Sequence, residues 1–172
     1  MKVEHPTWLM PIGDNGAGII MMPCPGTKEV DLDSTISQLR AQGVTAIVSM
    51  MVDEEMKNLH VENLPEVCKQ NNIQWFNMAT DDNRVPGEDS LSEWGQYKGN
   101  LVEVISQGGK VAVHCKGGTG RTGVGVAMLL LELGRDAEQA IADVKALKPG
   151  AFNSELTIAF IKNQAETLND KS

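Results

Sequence analysis

A cysteine followed by a glycine-rich turn and an arginine is the part of this sequence best suited to chemistry. Residues 111–123 read VAVHCKGGTGRTG, with Cys115 and Arg121 at the two ends of the turn. Glycines lack Cβ atoms, so the backbone can curl tightly and turn its N–H groups inward, where they bind a phosphate-like dianion. The planar guanidinium of Arg121 can bind two phosphate oxygens at once. The same positive field stabilises a thiolate at Cys115, which is then a nucleophile beside a bound phosphate.

The neighbours of these two residues have supporting roles in the predicted site. His114 is expected to orient the loop through hydrogen bonds rather than to act as a base, because a stabilised thiolate needs no base. The Thr122 hydroxyl can donate a hydrogen bond to the sulfur when the sulfur leaves. Main-chain amides and Arg121 supply the charge stabilisation, so we expect neither a metal nor a cofactor. The predicted phosphate-binding residues are Lys116, Gly117, Gly118, Thr119, Gly120 and Arg121.

Cleavage of a phosphomonoester also requires an acid, because the expelled alkoxide or phenoxide must be protonated. A polar stretch with Pro86 and Gly87 reads as a surface loop that could close over the site. The residue types alone leave several acids open on this loop: Asp81, Asp82, Glu88 and Asp89.

The elements that position these residues alternate along the chain, which indicates an α/β fold with a central, mainly parallel β-sheet flanked by helices. Ligands of such sheets bind beyond the carboxyl ends of the strands, and Cys115 follows a strand directly. Asp33 and Asp136 are the expected N-caps of two of the helices. We predict strands at 19–22, 44–50, 73–78 and 110–113, and helices at 33–42, 53–59, 62–71, 90–106, 122–133, 136–147 and from 154 onward.

Composition fits one soluble domain that spans residues 1–172, with 41% hydrophobic and 22% charged residues. A net charge of −8 argues against nucleic-acid binding and against stable association with anionic membranes. No stretch approaches the ~20 apolar residues of a spanning helix, and residues 1–11 carry no apolar signal run. The three cysteines fit reduced thiols, so we expect a cytoplasmic protein.

The run His114-Cys115-x5-Arg121-Thr122 resembles the signature of the protein tyrosine phosphatase superfamily. The glycines match the Cys-x-Gly-Gly-x-Gly-Arg loop of its dual-specificity, kinase-associated branch, and the upstream Pro-Gly-Thr-Lys at 25–28 is similar too. The resemblance implies the cysteine-phosphatase fold and hydrolysis of phosphotyrosine through a cysteinyl-phosphate, and it leaves phosphoserine and phosphothreonine open as further substrates. It also implies a phosphoprotein or phosphopeptide as partner.

The same resemblance selects one acid from the loop. In the family an Asp lies four residues before a Pro, which fits Asp82 and Pro86 and does not fit Asp81. The Trp-Pro that precedes this Asp in many tyrosine phosphatases is absent here. Asn153 lies where the family often has an Asn or Gln that positions water, although capping of the helix from Ser154 is an equal explanation.

Other functions remain open at this point. A lysine after the nucleophile also occurs in phosphoinositide phosphatases, but Thr119 replaces their second lysine, which makes Lys116 a weak sign of a lipid substrate. A phosphoprotein-binding module without activity is a second alternative, although such modules usually lack the Cys or the Arg. An arsenate reductase is a third, and its chemistry would require Cys24 or Cys68 close to Cys115.

Overall fold

The strands and helices occur in the alternating order expected from the sequence. A computed structural model describes residues 3–170; Met1, Lys2, Lys171 and Ser172, at the two ends of the predicted 1–172 domain, lie outside this range. The strands are β1 (Trp8–Pro11), β2 (Gly18–Met22), β3 (Val44–Ser49), β4 (Gln74–Asn77) and β5 (Lys110–His114). The helices are α1 (Leu32–Ala41), α2 (Asp53–Asn58), α3 (Leu64–Gln70), α4 (Glu88–Ser106), α5 (Gly120–Glu132), α6 (Ala137–Leu147) and α7 (Glu155–Asp170).

The strands form one sheet in the order β1-β2-β5-β3-β4. All neighbours pair in parallel except β1, which runs antiparallel to β2. The predicted α/β class with a mainly parallel central sheet is therefore confirmed. Strand β1 was not predicted: it is short and half exposed, and it ends at Pro11, which lacks an amide donor.

The middle of the sheet carries the site. β2, β3 and β5 are buried along almost their whole length, as parallel strands covered on both faces must be. At their carboxyl ends, His114 pairs with Met22 on one side and with Ser49 on the other. The residue after His114 is Cys115, so the sheet delivers the sulfur to the edge where ligands of parallel sheets bind.

Two groups of helices pack on this sheet. Helices α4 and α5 contact each other and the central strands, and α6 and α7 pack on α5. Helices α1 and α3 contact each other and the strands β3 and β4. Every residue of α5 from Arg121 to Leu131 is buried, which confirms the expectation from its apolar sequence. None of the helices within residues 3–170 combines the length and the hydropathy that crossing a membrane requires.

The two predicted N-caps had different outcomes. Asp136 caps α6, since its carboxylate accepts a hydrogen bond from the Gln139 amide at 2.8 Å. Asp33 was the wrong choice for α1, which is capped two residues earlier by Asp31, with the Ser34 amide 2.7 Å from its carboxylate. Asp33 lies in the first turn, where a negative charge favours the helix dipole without capping it.

Candidate active site

The sulfur of Cys115 lies at the bottom of the loop between β5 and α5. The residue is only 4% exposed. Its Sγ accepts a hydrogen bond from the Gly118 amide at 3.3 Å and one from the Thr122 hydroxyl at 3.0 Å. Both donors stabilise a negative sulfur, and Thr122 occupies the position from which it can assist the sulfur as a leaving group.

The carbonyls of the loop are held outward by contacts with other elements. The Cys115 carbonyl accepts from His114 Nδ1 at 3.0 Å, and the Lys116 carbonyl accepts from the Cys24 amide at 3.1 Å. In a trans peptide the C=O and the following N–H point in opposite directions. The amides of Lys116 and Gly117 are therefore turned away from these partners, toward the interior of the loop. The arrangement is a nest of amides of the kind that binds anions.

Gly118 is the loop glycine whose backbone requires its residue type. Its φ is +84°, and a Cβ at this position would lie 2.5 Å from the Met22 carbonyl carbon and from the Pro23 nitrogen. Gly117 and Gly120 have open space around the equivalent position and no positive φ. Of the three loop glycines, Gly118 is thus the one whose backbone conformation and close packing exclude a Cβ atom.

Replacing Gly118 by Ala is expected to lower the free energy of unfolding by roughly 2–4 kcal/mol, because left-handed backbone strain adds to a clash with main-chain atoms that cannot move aside. Urea denaturation followed by circular dichroism measures the loss. Gly117→Ala is the matched control and should unfold at nearly the wild-type urea concentration, since its Cβ meets no atom within 4 Å. Equal stability of the two variants would contradict the close approach of Gly118 to the end of β2.

The guanidinium of Arg121 is buried and uses only part of its donors within the protein. Nη1 donates to the carbonyls of Met50 at 3.1 Å and of Thr80 at 2.8 Å. Nη1 and Nη2 together bind the two carboxylate oxygens of Glu55 at 2.7 and 2.8 Å. The buried Nε has no partner. The edge formed by Nε and Nη2 is thus free to bind two oxygens of a phosphate, while the opposite edge holds Glu55.

Glu55 is a site residue that the sequence analysis missed. It lies on α2, its side chain is 19% exposed, and its fork-to-fork contact fixes the plane of the Arg121 guanidinium. The hydrogen bonds from Arg121 lower the pKa of the Glu55 carboxyl, so it remains charged. The sequence signal was weak, because Glu55 lies in the acidic run Asp53-Glu54-Glu55 at the start of a short helix, where acidic residues are common for the helix dipole alone.

The two candidate acids lie in the same loop but at different distances from the arginine. The Asp82 carboxylate, 69% exposed, lies 3.7 Å from Arg121 Nη2. A 320 Å³ cleft beside the loop is lined by Asp82 and Arg121 but not by Asp81. Asp81 lines a second cleft with Lys116 and Glu54, on the other side of Asp82. Asp82 is thus the carboxylate of this loop that lies beside Arg121, and its role as the acid stays a prediction.

Two further residues that were candidates from the sequence lie near the mouth of the site. Lys116 is exposed, and its side chain borders the second cleft. Asn153 lines the first cleft with Arg121. The cap of α7 involves Ser154 instead, whose hydroxyl accepts from the Thr157 amide at 3.3 Å. This removes capping as the explanation for Asn153 and leaves it as a polar group at the site.

Burial excludes His114 and the two other cysteines from acid–base chemistry. Burial lowers the pKa of His114 to about 4, so its ring is neutral at physiological pH and serves as a structural hydrogen-bond partner. Burial raises the pKa of both Cys24 and Cys68 to about 12. Cys115 is the thiol that the loop presents to a ligand, and all three cysteines are free.

Comparison with known proteins gives a family for this arrangement. The family described as "Tc-R-P: Polymorphic toxin system, DSP-PTPase phosphatase" matches residues 22–135. The bovine (Bos taurus) "Protein tyrosine phosphatase domain-containing protein 1" is 30% identical over 148 residues, 79% of this chain and 18% of that protein. "Tyrosine-protein phosphatase CDC14" of Candida albicans is 36% identical over 94 residues, 54% of this chain and 17% of that protein.

The fold is shared with a solved phosphatase. The crystal structure of kinase associated phosphatase, solved with its catalytic-site cysteine replaced by serine, superimposes with a TM-score of 0.83 and 20% identity, over 98% of each chain. The chain spans less than a fifth of the length of the two curated relatives named above. The family match extends from the end of β2 to just beyond α5 and thus includes the loop, Glu55 and Asp82. This chain therefore belongs to the DSP-PTPase phosphatases, the dual-specificity branch of the protein tyrosine phosphatase superfamily.

Proposed function

We propose that this protein hydrolyses phosphotyrosine in proteins, and phosphoserine and phosphothreonine in addition, through a cysteinyl-phosphate intermediate and without a metal. The observation that carries the proposal is that three groups suited to an anion lie together between β5 and α5. These groups are the Cys115 sulfur with its two hydrogen-bond donors, the inward loop amides, and the free edge of Arg121. Such a position is suited to a phosphoryl group under attack by sulfur.

The proposed reaction has two steps. The Cys115 thiolate attacks phosphorus, the bond from phosphorus to the ester oxygen breaks, and Asp82 gives its proton to the leaving oxygen. Water then attacks phosphorus and gives a proton to the Asp82 carboxylate, which restores the acid, while the bond between sulfur and phosphorus breaks and inorganic phosphate leaves. The Thr122 hydroxyl, 3.0 Å from Sγ, stabilises the departing thiolate. In both steps the developing charge on the phosphoryl oxygens lies against Arg121 and the loop amides.

Asp82→Asn tests the acid. We expect kcat to fall about 100-fold for phenyl phosphate, a poor leaving group, and far less for p-nitrophenyl phosphate, because general acid catalysis matters most when the leaving group is basic. Steady-state kinetics with the two esters measures the ratio of the two losses.

Asp81→Asn is the matched control, since it removes the neighbouring carboxylate of the same loop. It should leave the ratio of the two leaving groups close to that of the wild type. If Asp81→Asn shows the leaving-group dependence and Asp82→Asn does not, the acid has been assigned to the wrong residue.

The substrate class is tested with a panel of phosphotyrosyl and phosphothreonyl peptides and phosphoinositides in the presence of a chelator. We expect the fastest release of phosphate from the phosphotyrosyl peptide. Faster release from phosphoinositides would move the assignment to lipids, and phosphopeptide binding without any release would identify a binding module. Thiol-dependent reduction of arsenate is the outcome that would support an arsenate reductase.

The expected setting of the activity follows from charge and cysteine chemistry. A net charge of −8 favours neither nucleic acid nor anionic membrane as a partner, which leaves a phosphoprotein as the proposed one. The three cysteines are free thiols, and free thiols persist in a reducing compartment. We therefore place the activity in the cytoplasm. Fractionation of cells that express the full protein tests this location.

A further inference from the structure

A chain of three hydrogen bonds connects the Cys115 carbonyl in the phosphate loop to side chains on the neighbouring strands β3 and β4. His114 Nδ1 lies 3.0 Å from the Cys115 carbonyl, and its Nε2 lies 2.6 Å from the Ser49 hydroxyl on β3. Ser49 in turn accepts from the Trp75 indole N–H on β4 at 2.9 Å. His114 and Ser49 are fully buried, and Trp75 is half-buried beside α2 and α3.

The direction of every proton in this chain follows from its two ends. A carbonyl can only accept, so Nδ1 of His114 must carry the ring proton. Nε2 is then an acceptor, and the Ser49 hydroxyl must donate to it. The indole N–H of Trp75 can only donate, and it fills an acceptor position of the same hydroxyl. The chain thus selects one tautomer of His114, the tautomer that holds the Cys115 carbonyl outward.

We propose that Ser49 and Trp75 are positioning residues for phosphate binding, acting through His114 to keep the Cys115 carbonyl turned out of the loop. This inference rests on the proposed function, because it concerns the same anion site. If the carbonyl turned inward, its oxygen would face the bound phosphate and the Lys116 amide would turn away from it. The chain of hydrogen bonds prevents this rotation from a distance.

The same chain of hydrogen bonds disfavours a positively charged His114 ring. An imidazolium would have to donate from Nε2 to the Ser49 oxygen, so the serine proton would lose its acceptor and the oxygen would be shared with the Trp75 indole N–H. Burial acts in the same direction and lowers the pKa of His114 to about 4. The charged or titratable groups that act on this ring from other elements are His5 and Arg121, which lower its pKa, and Glu55, which raises it. None of these belongs to the chain of hydrogen bonds, so they remain in place when the chain is broken.

The affinity for inorganic phosphate, measured by calorimetry, tests the inference without depending on turnover. Ser49→Ala should raise the Kd for phosphate about tenfold, since it leaves the buried Nε2 of His114 without a donor. Ser49→Thr keeps the hydroxyl and should restore most of the affinity. Trp75→Phe should raise the Kd about threefold, because the serine hydroxyl can still donate to His114. Trp94→Phe is the matched control for loss of a buried indole and should bind as the wild type does.

Nitrogen-detected NMR of His114 gives a readout that a merely structural role would not change. The wild type should show the Nδ1–H tautomer and a ring that stays neutral as the pH falls to 5. In Trp75→Phe the pKa of His114 should rise, because the indole N–H no longer shares the Ser49 oxygen with the Nε2–H of an imidazolium; in Trp94→Phe it should not. An Nε2–H tautomer in the wild type, or phosphate affinity unchanged in Ser49→Ala, would overturn the inference. A wild type that binds phosphate with these variant effects but releases none from any ester would refute the proposed function alone.

Discussion

Cys115→Ser is expected to lower kcat by roughly 10⁴- to 10⁶-fold while the protein still binds phosphate. A serine hydroxyl is not ionised at neutral pH, and His114 cannot activate it, because its ring is buried and both ring nitrogens have other partners. Arg121 and the loop amides remain in place, so the affinity for inorganic phosphate should persist. Hydrolysis of p-nitrophenyl phosphate and calorimetry with phosphate measure the two properties.

Cys68→Ala is the control for loss of a thiol. Cys68 is buried on α3 and burial raises its pKa to about 12, so it takes no part in the reaction. This variant should lose some stability and keep the wild-type kcat. A Cys115→Ser protein that hydrolyses the ester at the wild-type rate would exclude covalent catalysis by sulfur.

Arg121→Lys should lower kcat/KM by about 10³-fold although the charge is kept. The guanidinium serves two partners on its two edges, Glu55 on one and the phosphoryl oxygens on the other. An ammonium on a flexible chain has no second planar edge, so it cannot hold Glu55 and a phosphate in these two directions at once. The loss should appear in both the Kd for phosphate and kcat, because Arg121 binds the ground state and the transition state.

Arg40→Lys makes the same substitution at an exposed position on α1 and should leave kcat/KM unchanged. The comparison separates the loss of a planar fork at the site from any general effect of the exchange. If Arg121→Lys retains wild-type kcat/KM, the free edge of the guanidinium does not bind the substrate and the assigned role is wrong.

The phosphate loop could be predicted because its chemistry is local in the chain. All of its functional groups lie between Cys115 and Thr122: the nucleophile, the glycine with positive φ, the arginine and the hydroxyl that donates to the sulfur. Their contacts follow from one short turn. Asp82 lies farther away in sequence, and the resemblance to a family selected it. In the structure it is 3.7 Å from Arg121; its role as the acid stays a prediction.

Glu55, Ser49 and Trp75 could not be predicted, for a physical reason. Their contacts depend on the order of the strands and on the register between them, which places Ser49 opposite His114 and the start of α2 beside Arg121. Neither order nor register can be read from the pattern of a parallel strand, since such strands are apolar on both faces. A serine at a strand end and a glutamate at a helix start are common without any function.

The predictions of secondary structure were wrong where the local sequence signals were ambiguous. β1 was not predicted, because its four residues end in a proline and precede a stretch rich in Gly, Asp and Asn. The cap of α1 was misplaced because Asp31 and Asp33 are both residues of a type that caps helices, and the sequence does not distinguish them. The long apolar helix α5 and the capped helix α6 were predicted well because one signal dominated in each.

The central claim is that one reactive sulfur, that of Cys115, lies in an anion-binding site. Alkylation tests this claim most directly. Iodoacetate at pH 6 should label Cys115 and leave Cys24 and Cys68 unmodified, since burial raises the pKa of both. Activity should fall in proportion to the label on Cys115, and inorganic phosphate should slow the reaction. A protein fully alkylated at Cys115 that keeps its activity, or alkylation that phosphate does not slow, would contradict it.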